Sequence, residues 1–317
     1  LPGSPQQLAL GTQQPAMPGG WAGAQLANPA LLADSVSESL QASFIGYPSG
    51  AGAISAAYMR PHGAAGGWGF AVYRLGYGEL PGYDAAGTPT GRFSASDALL
   101  QAGYAHRQGP YAWGIAAKWV QSSIGPYRSA ALLFDAGGLF IHPKRDLRVG
   151  FSVRHLGFRL WRYASEGPFR APVDVQAGIS FKPPRMPLRL MAGLHHLHRF
   201  DIAYEDPRTQ GLTNALGTLL EPPIGWADRL ARHFSIGMAW ELGKHFRLMG
   251  GYQVLRRREL AWPGRAGGAG LSWGLQLQGA SWQACLAREA WYAGKWATAF
   301  SFSFRPGGLA RKRRTVG

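Results

Sequence analysis

Along most of the chain, every second residue is apolar and the residues between are small or polar. In the last such stretch, Trp296, Thr298, Phe300, Phe302 and Phe304 alternate with Ala297, Ala299, Ser301 and Ser303. A strand puts alternate side chains on opposite faces, so this segment has one greasy aromatic face and one small, uncharged face. A soluble sheet would carry charge on its second face. The pairing of a large apolar face with a small or polar one suits a barrel strand that meets lipid outside and a lumen inside. The same period recurs elsewhere. Tyr111, Trp113, Ile115, Ala117 and Trp119 oppose Ala112, Gly114, Ala116 and Lys118, and Leu147, Val149, Phe151 and Val153 oppose Arg148, Gly150, Ser152 and Arg154. In 127–141 the pattern is less clean, with Leu133 and Leu139 on the face of Asp135.

The alternation predicts about fourteen strands, near 39–46, 51–60, 66–78, 94–106, 110–122, 127–141, 145–154, 173–182, 186–197, 233–242, 246–257, 267–279, 281–291 and 296–305. Their connections sort by parity. Near 61–65, 107–109, 143–144, 183–185, 243–245 and 280 they are short, whereas 79–93, 155–172 and 198–232 are long and 258–266 is intermediate. Short turns at one end and long loops at the other are the habit of bacterial outer-membrane barrels, with both termini in the periplasm. The expected fold is therefore all-β: a 14-stranded, antiparallel, up-and-down outer-membrane β-barrel. An even count lets 39–46 pair with 296–305, which leaves no open edge in hydrocarbon.

Three regions follow. Residues 1–38 are broken by Pro2, Pro5, Pro15, Pro18, Gly19 and Gly20, and are expected to plug the lumen or cap its mouth. Residues 39–305 form the transmembrane barrel. Residues 306–317, with Arg311-Lys312-Arg313-Arg314, form a basic periplasmic tail. The chain opens at Leu1 without a signal peptide, as expected for a processed mature terminus.

Composition sharpens this picture. Charged residues are 16%, low for a globular domain, and 45 Gly with 39 aromatic residues (Trp 12, Tyr 12, Phe 15) suit tight turns and interfacial girdles. No apolar run is long enough for a membrane helix, but barrel strands need only about 9–11 residues. The net charge of +16 points to an anionic surface such as lipopolysaccharide. Low charge density and the lack of a basic helix argue against nucleic acid. Cys285 stands alone, so no intrachain disulfide forms, and it is expected to be a small wall or lumen residue.

No motif points to catalysis, a metal or a cofactor. His195 and His196 fall on opposite faces, and no Cys or acidic pair completes a metal set with His198. Gly267-Gly268-Ala269-Gly270 lacks the Lys-Ser or Lys-Thr of a phosphate loop. Asp97, Asp135, Asp174 and Glu241 share the lumen side with Lys118, Arg148, Arg154, Arg189 and Arg247, which predicts a structural charge ladder. Binding candidates lie on the long loops instead. Trp161, Arg162, Tyr163 and Phe169 form one set, and Asp206, Pro207, Trp226, Asp228 and Arg229 form another; Trp and Arg are favoured interface anchors. Gly211 to Leu220 is expected to hold a short helical turn. Arg256-Arg257-Arg258, at the outer end of a strand, are candidates to meet lipid A phosphates or an acidic partner.

Several stretches resemble a known family. Asn28-Pro29-Ala30-Leu31-Leu32, ahead of the first strand, resembles the corresponding motif of FadL-like barrels, including those of the type IX secretion system. Phe93-Ser94-Ala95-Ser96-Asp97, Phe200 to Pro207, Ala227-Asp228 with Arg232-His233, and Leu271-Ser272-Trp273-Gly274 resemble the PorQ family in order and spacing, over roughly 28 to 305. The resemblance implies a non-enzymatic anchor in the surface attachment complex. Its implied direct partner is PorZ, with PorU and PorV in the same complex, and cargo is attached there to anionic lipopolysaccharide. The wider FadL-like resemblance implies an alternative, transport of hydrophobic small molecules. This chain departs from the pattern in its Arg-rich character and short basic tail.

Overall fold

The structure is a computed structural model; it describes residues 3–12, 14–34, 37–63, 65–161, 171–204, 224–260, 267–292 and 294–306. Fourteen antiparallel strands follow one another around a closed barrel: β1 Ser39–Gly46, β2 Gly52–His62, β3 Gly66–Tyr83, β4 Pro89–Gln108, β5 Tyr111–Ile124, β6 Tyr127–Ile141, β7 Leu147–Trp161, β8 Asp174–Phe181, β9 Leu188–Leu194, β10 Phe234–Leu242, β11 Phe246–Gln253, β12 Leu271–Gln278, β13 Trp282–Ala290 and β14 Trp296–Phe304. The last strand closes on the first, with Leu40 opposite Phe304 and Phe44 opposite Phe300. Every strand thus has two neighbours, which satisfies its backbone without water.

The alternation predicted for β14 is borne out: Ala297, Ala299, Ser301 and Ser303 are fully buried, while Phe300 and Phe302 are about half exposed. Phe44, Phe70, Trp113, Ile115, Phe151, Ile236 and Trp240 extend the same apolar belt around the outside. A belt this wide has no place in water; it is the surface of a barrel in a bilayer.

Two expected loops are corrected. Segment 79–93 is largely strand, because β3 and β4 continue as a ribbon to a turn at 84–88. Segment 155–172 begins as strand, because β7 runs on to Trp161. Both continuations follow a local disruption that hid the period. In the ribbon it is the register shift between Gly76 and Glu79, and in β7 it is a bulge at His155, whose φ is 60°. Beyond Gly76 the ribbon leaves the wall, so most of its residues face solvent and the two-face contrast disappears. Strands of 18 and 20 residues exceed the roughly 9–11 needed to cross a bilayer, so the ribbon stands clear of it. A third correction concerns 246–257: the strand ends at Gln253, and Val254–Glu259 is a short helix.

The N-terminal segment sits inside the barrel. Helix α1 (Pro5–Ala9) packs on β11 to β14, and the 3-10 turns at Ala22–Leu26 and Pro29–Asp34 pack on β1 to β6. Leu8, Ala9, Ala22, Asn28, Ala30, Leu31 and Leu32 are completely buried. The inner wall admits this plug because it carries glycines where its backbone passes. A Cβ at Gly114 would lie 2.6 Å from the Ala30 nitrogen, and one at Gly137 would lie 1.9 Å from Asn28 Oδ1. Much of the glycine content therefore serves close approach as well as turns.

Candidate functional site

Two places could carry function: the lumen and the mouth at the long-loop end. In the lumen, plug and wall are tied by polar contacts that alternation alone would not reveal. The Asn28 amide donates to Pro15 O at 3.0 Å and Gly138 O at 3.3 Å, while its oxygen accepts from Ala30 N at 3.0 Å. Gln25 Nε2 donates to Tyr58 O and Phe70 O of the wall at 3.1 and 3.2 Å. Arg148 pairs with Asp34 of the plug.

The charge ladder expected inside the barrel is present. Lys118 pairs with Asp135, both buried, and Arg154 Nε lies 3.7 Å from the same carboxylate. Glu241 sits 3.2 Å from Arg247 and 3.6 Å from Arg189. Near the short-turn end is a cavity of about 80 Å³, rimmed by Gln41, Gln276, Gln283, Arg189 and Arg247. Cys285 is buried in the wall, as expected.

At the other end lie two short helices: α2 (Trp226–Ala231) and α3 (Val254–Glu259). Six of the residues singled out in the sequence lie on these helices, and two of them, Asp228 and Arg258, pair with each other. Asp228 accepts from Arg232 Nε at 2.8 Å and forms an ion pair with Arg258 Nε, also at 2.8 Å, and Arg232 also pairs with Glu259. Arg229 reaches Asp201 at 3.2 Å. Arg256 turns inward to Glu289, which is fully buried, and lies 5.3 Å from the Trp291 ring centroid. Arg257 donates to Gly267 O. The triple-arginine run is thus spent on the protein itself, and it lies on a helix, not a strand end. Only Arg258 stays more than half exposed.

Trp161 is not on a free loop. It ends β7 against Trp119 on the outer wall, ring centroids 5.2 Å apart, in the girdle position. Trp226 is 72% exposed, and Phe200 and Tyr204 are 55% and 70% exposed. Phe200 and Tyr204 were not singled out as individual contacts; an aromatic in a long loop gives no periodic signal. Arg162, Tyr163, Phe169, Asp206, Pro207 and the turn expected at Gly211 to Leu220 lie outside the described residues, as does the tail from 307 on.

The histidines line the rim. His195 is completely buried, its Nδ1 2.7 Å from that of His196, and His233 lies between His195 O at 2.7 Å and Phe200 O at 3.1 Å. Burial, reinforced by the neighbouring His196, pushes His195 down to about 3. Among the described residues, no group of three His, Cys, Asp or Glu side chains is arranged to hold a metal.

No protein-family model and no curated protein matches the chain. Solved structures do. A TodX monoaromatic hydrocarbon channel variant aligns over 95% of this chain and 98% of its own, at 12% identity and TM-score 0.60. The Pseudomonas putida toluene transporter TodX aligns over 96% and 97%, at 11% identity and TM-score 0.58. A Pseudomonas aeruginosa FadL homologue aligns over 95% and 97%, at 10% identity and TM-score 0.54. The fold is that of the FadL-like barrels. Within a FadL-like barrel the plug, the polar lumen and the long-loop end are the parts on which a functional reading must rest, since identities this low speak for architecture alone.

Proposed function

We propose that this FadL-like barrel is a non-enzymatic anchor of the PorQ kind, set in the outer membrane with both termini in the periplasm. It holds PorZ at the cell surface, in a complex with PorU and PorV, where cargo is processed and attached to anionic lipopolysaccharide. The observation that carries this reading is the pairing of a plugged bore with exposed aromatic residues on ion-paired elements at the long-loop end. Residues 3–12 and 14–34 pack inside the barrel, whereas Phe200, Tyr204 and Trp226 stand exposed near helices cross-braced by ion pairs. Aromatic side chains held on a rigid support lose little freedom on docking. The sequence resemblance of Phe200 to Pro207 and Ala227-Asp228 to that family supports the same face. Arg162, Tyr163, Phe169, Asp206 and Pro207 remain proposed contacts on the neighbouring loops.

The test is to delete 205–230 while keeping the barrel, then follow PorZ in cell and medium fractions. Release of PorZ is expected; normal cell-bound PorZ would remove this loop as the dock. Pull-down from solubilised outer membrane identifies the partners directly.

Transport of hydrophobic small molecules is the second reading. It is favoured by the architecture shared with a toluene transporter. A filled, charge-lined bore opposes it. Toluene flux into vesicles carrying the intact barrel, above that of empty vesicles, would establish it.

A further inference from the structure

The arginines that sequence assigned to lipid A are engaged within the protein. Two others are not. Arg74 on β3 and Arg128 on β6 are exposed, and neither has an ion-pair or side-chain hydrogen-bond partner among the described residues. Alternation places both on the outward face. Arg74 follows Trp68, Phe70 and Val72, and Arg128 shares its face with Leu132 and Phe134.

Directly on the membrane side of these arginines the wall is dented. Ala102 and Ala117 face each other across β4 and β5. In the same row they are flanked by Phe70 on β3 and Phe134 on β6. Leu100 and Trp119 close the dent above. Two alanines amid large neighbours leave adjoining hollows of about 560 and 420 Å³, which share Phe70, Ala102 and Ala117. Both hollows open to the outside of the wall.

Toward the long-loop end, the next rows turn polar. Arg74 leads across Ala98 to Gln121, and Ser96 leads across Ser123 to Arg128. Arginine on a lipid-facing wall is costly at mid-membrane and tolerated at the interface, so these rows mark the bilayer edge. Arg74 and Arg128 lie three strands and one row apart, about 16 Å at the usual spacings of about 4.8 Å between strands and about 3.4 Å per residue.

We infer that this patch is a binding site for lipid A, the phosphorylated, acylated anchor of lipopolysaccharide. One acyl chain lies in the Ala102–Ala117 dent, while Arg74 and Arg128 hold headgroup phosphates in charge-assisted hydrogen bonds. The inference rests on the outer-membrane orientation proposed above, which puts this edge in the outer leaflet. It extends that reading by giving the barrel its own grip on the glycolipid to which the complex attaches cargo.

The probe is purified bisphosphorylated lipid A, added to delipidated barrel in detergent and followed by native mass spectrometry. R74Q/R128Q and, separately, the dent-filling A102L/A117L should each lower occupancy at least tenfold. R258Q, on α3, should leave it unchanged. Heat-modifiable gel mobility confirms that each variant is folded. Phosphatidylglycerol tests whether any anionic lipid suffices. Retention within twofold of wild type in R74Q/R128Q, or equal occupancy by phosphatidylglycerol, would overturn the site. PorZ retention and membrane fractionation of the same strains report on the anchoring reading separately.

Discussion

Arg256, on the short helix after β11, is ion-paired with Glu289, a carboxylate near the end of β13 that no solvent reaches. Trp291 Nε1 donates to the same carboxylate at 3.2 Å. This helix is thereby pinned to the barrel wall by a charge that cannot be left alone.

Replacing Arg256 by Met strands the Glu289 carboxylate. The expected cost is about 3 kcal/mol in urea unfolding of the vesicle-inserted barrel, since breaking one side of a buried pair is strongly destabilising. R256M/E289Q should recover most of it. Equal losses in the single and double variants would mean that the pair is solvated.

Asn28 ties the plug to itself and to the wall. Asn28→Ala should weaken plug seating by about 1–3 kcal/mol, the usual range for leaving buried partners unsatisfied. Gly137→Val should go further, because its Cβ would lie 1.9 Å from Asn28 Oδ1. Ion conductance in planar bilayers, low for the parent, should rise at least tenfold in G137V. An unchanged conductance would mean that the plug tolerates displacement without opening the bore.

His195 should make the rim acid-sensitive. Burial holds its folded-state value at about 3, below the roughly 6.5 of an unfolded chain. Between these values the unfolded segment binds more protons than the folded one, so stability falls as pH drops from about 6.5 toward 3. Asp174, whose carboxylate lies 3.8 Å from His196 Nδ1, and His233 and Arg256 complete its charged surroundings. Amide exchange across 195–204 should accelerate from pH 7 to pH 5, less so in H195Q. Identical slopes in the two proteins would assign the effect elsewhere.

Trp226 offers the largest exposed apolar surface on α2, and it makes no ion pair that its loss would disturb. Trp226→Ala should weaken PorZ capture at least tenfold while leaving thermal stability within experimental error; central aromatic anchors commonly cost 2 kcal/mol or more. Asp228→Asn, by contrast, should loosen the pairing of the two helices, since two arginines depend on that carboxylate.

The strands could be found in advance because a barrel wall imposes one rule on every residue: outward greasy, inward small or polar. Where that rule held, at Tyr111 to Trp119 or Trp296 to Phe304, faces and partners followed. Where the chain rose above the bilayer, as in Tyr77 to Tyr83, both faces met water and the strand looked like a loop. The site was less accessible. Asp228 and Arg229 were recognisable as a charged pair, but their partners Arg258 and Asp201 lie 30 and 28 residues away.

Sequence by itself determined the cylinder: its strand number, its closure, and which side of each strand faces oil. Those follow from a period of two, which is local chemistry repeated. Tertiary structure alone decided which charges are free. Arg256 is consumed by Glu289, while Arg74 and Arg128 have no partner among the described residues and lie near a dent lined by two alanines on adjacent strands. Pairing depends on which distant segments the closed barrel brings together, and no short-range pattern encodes that.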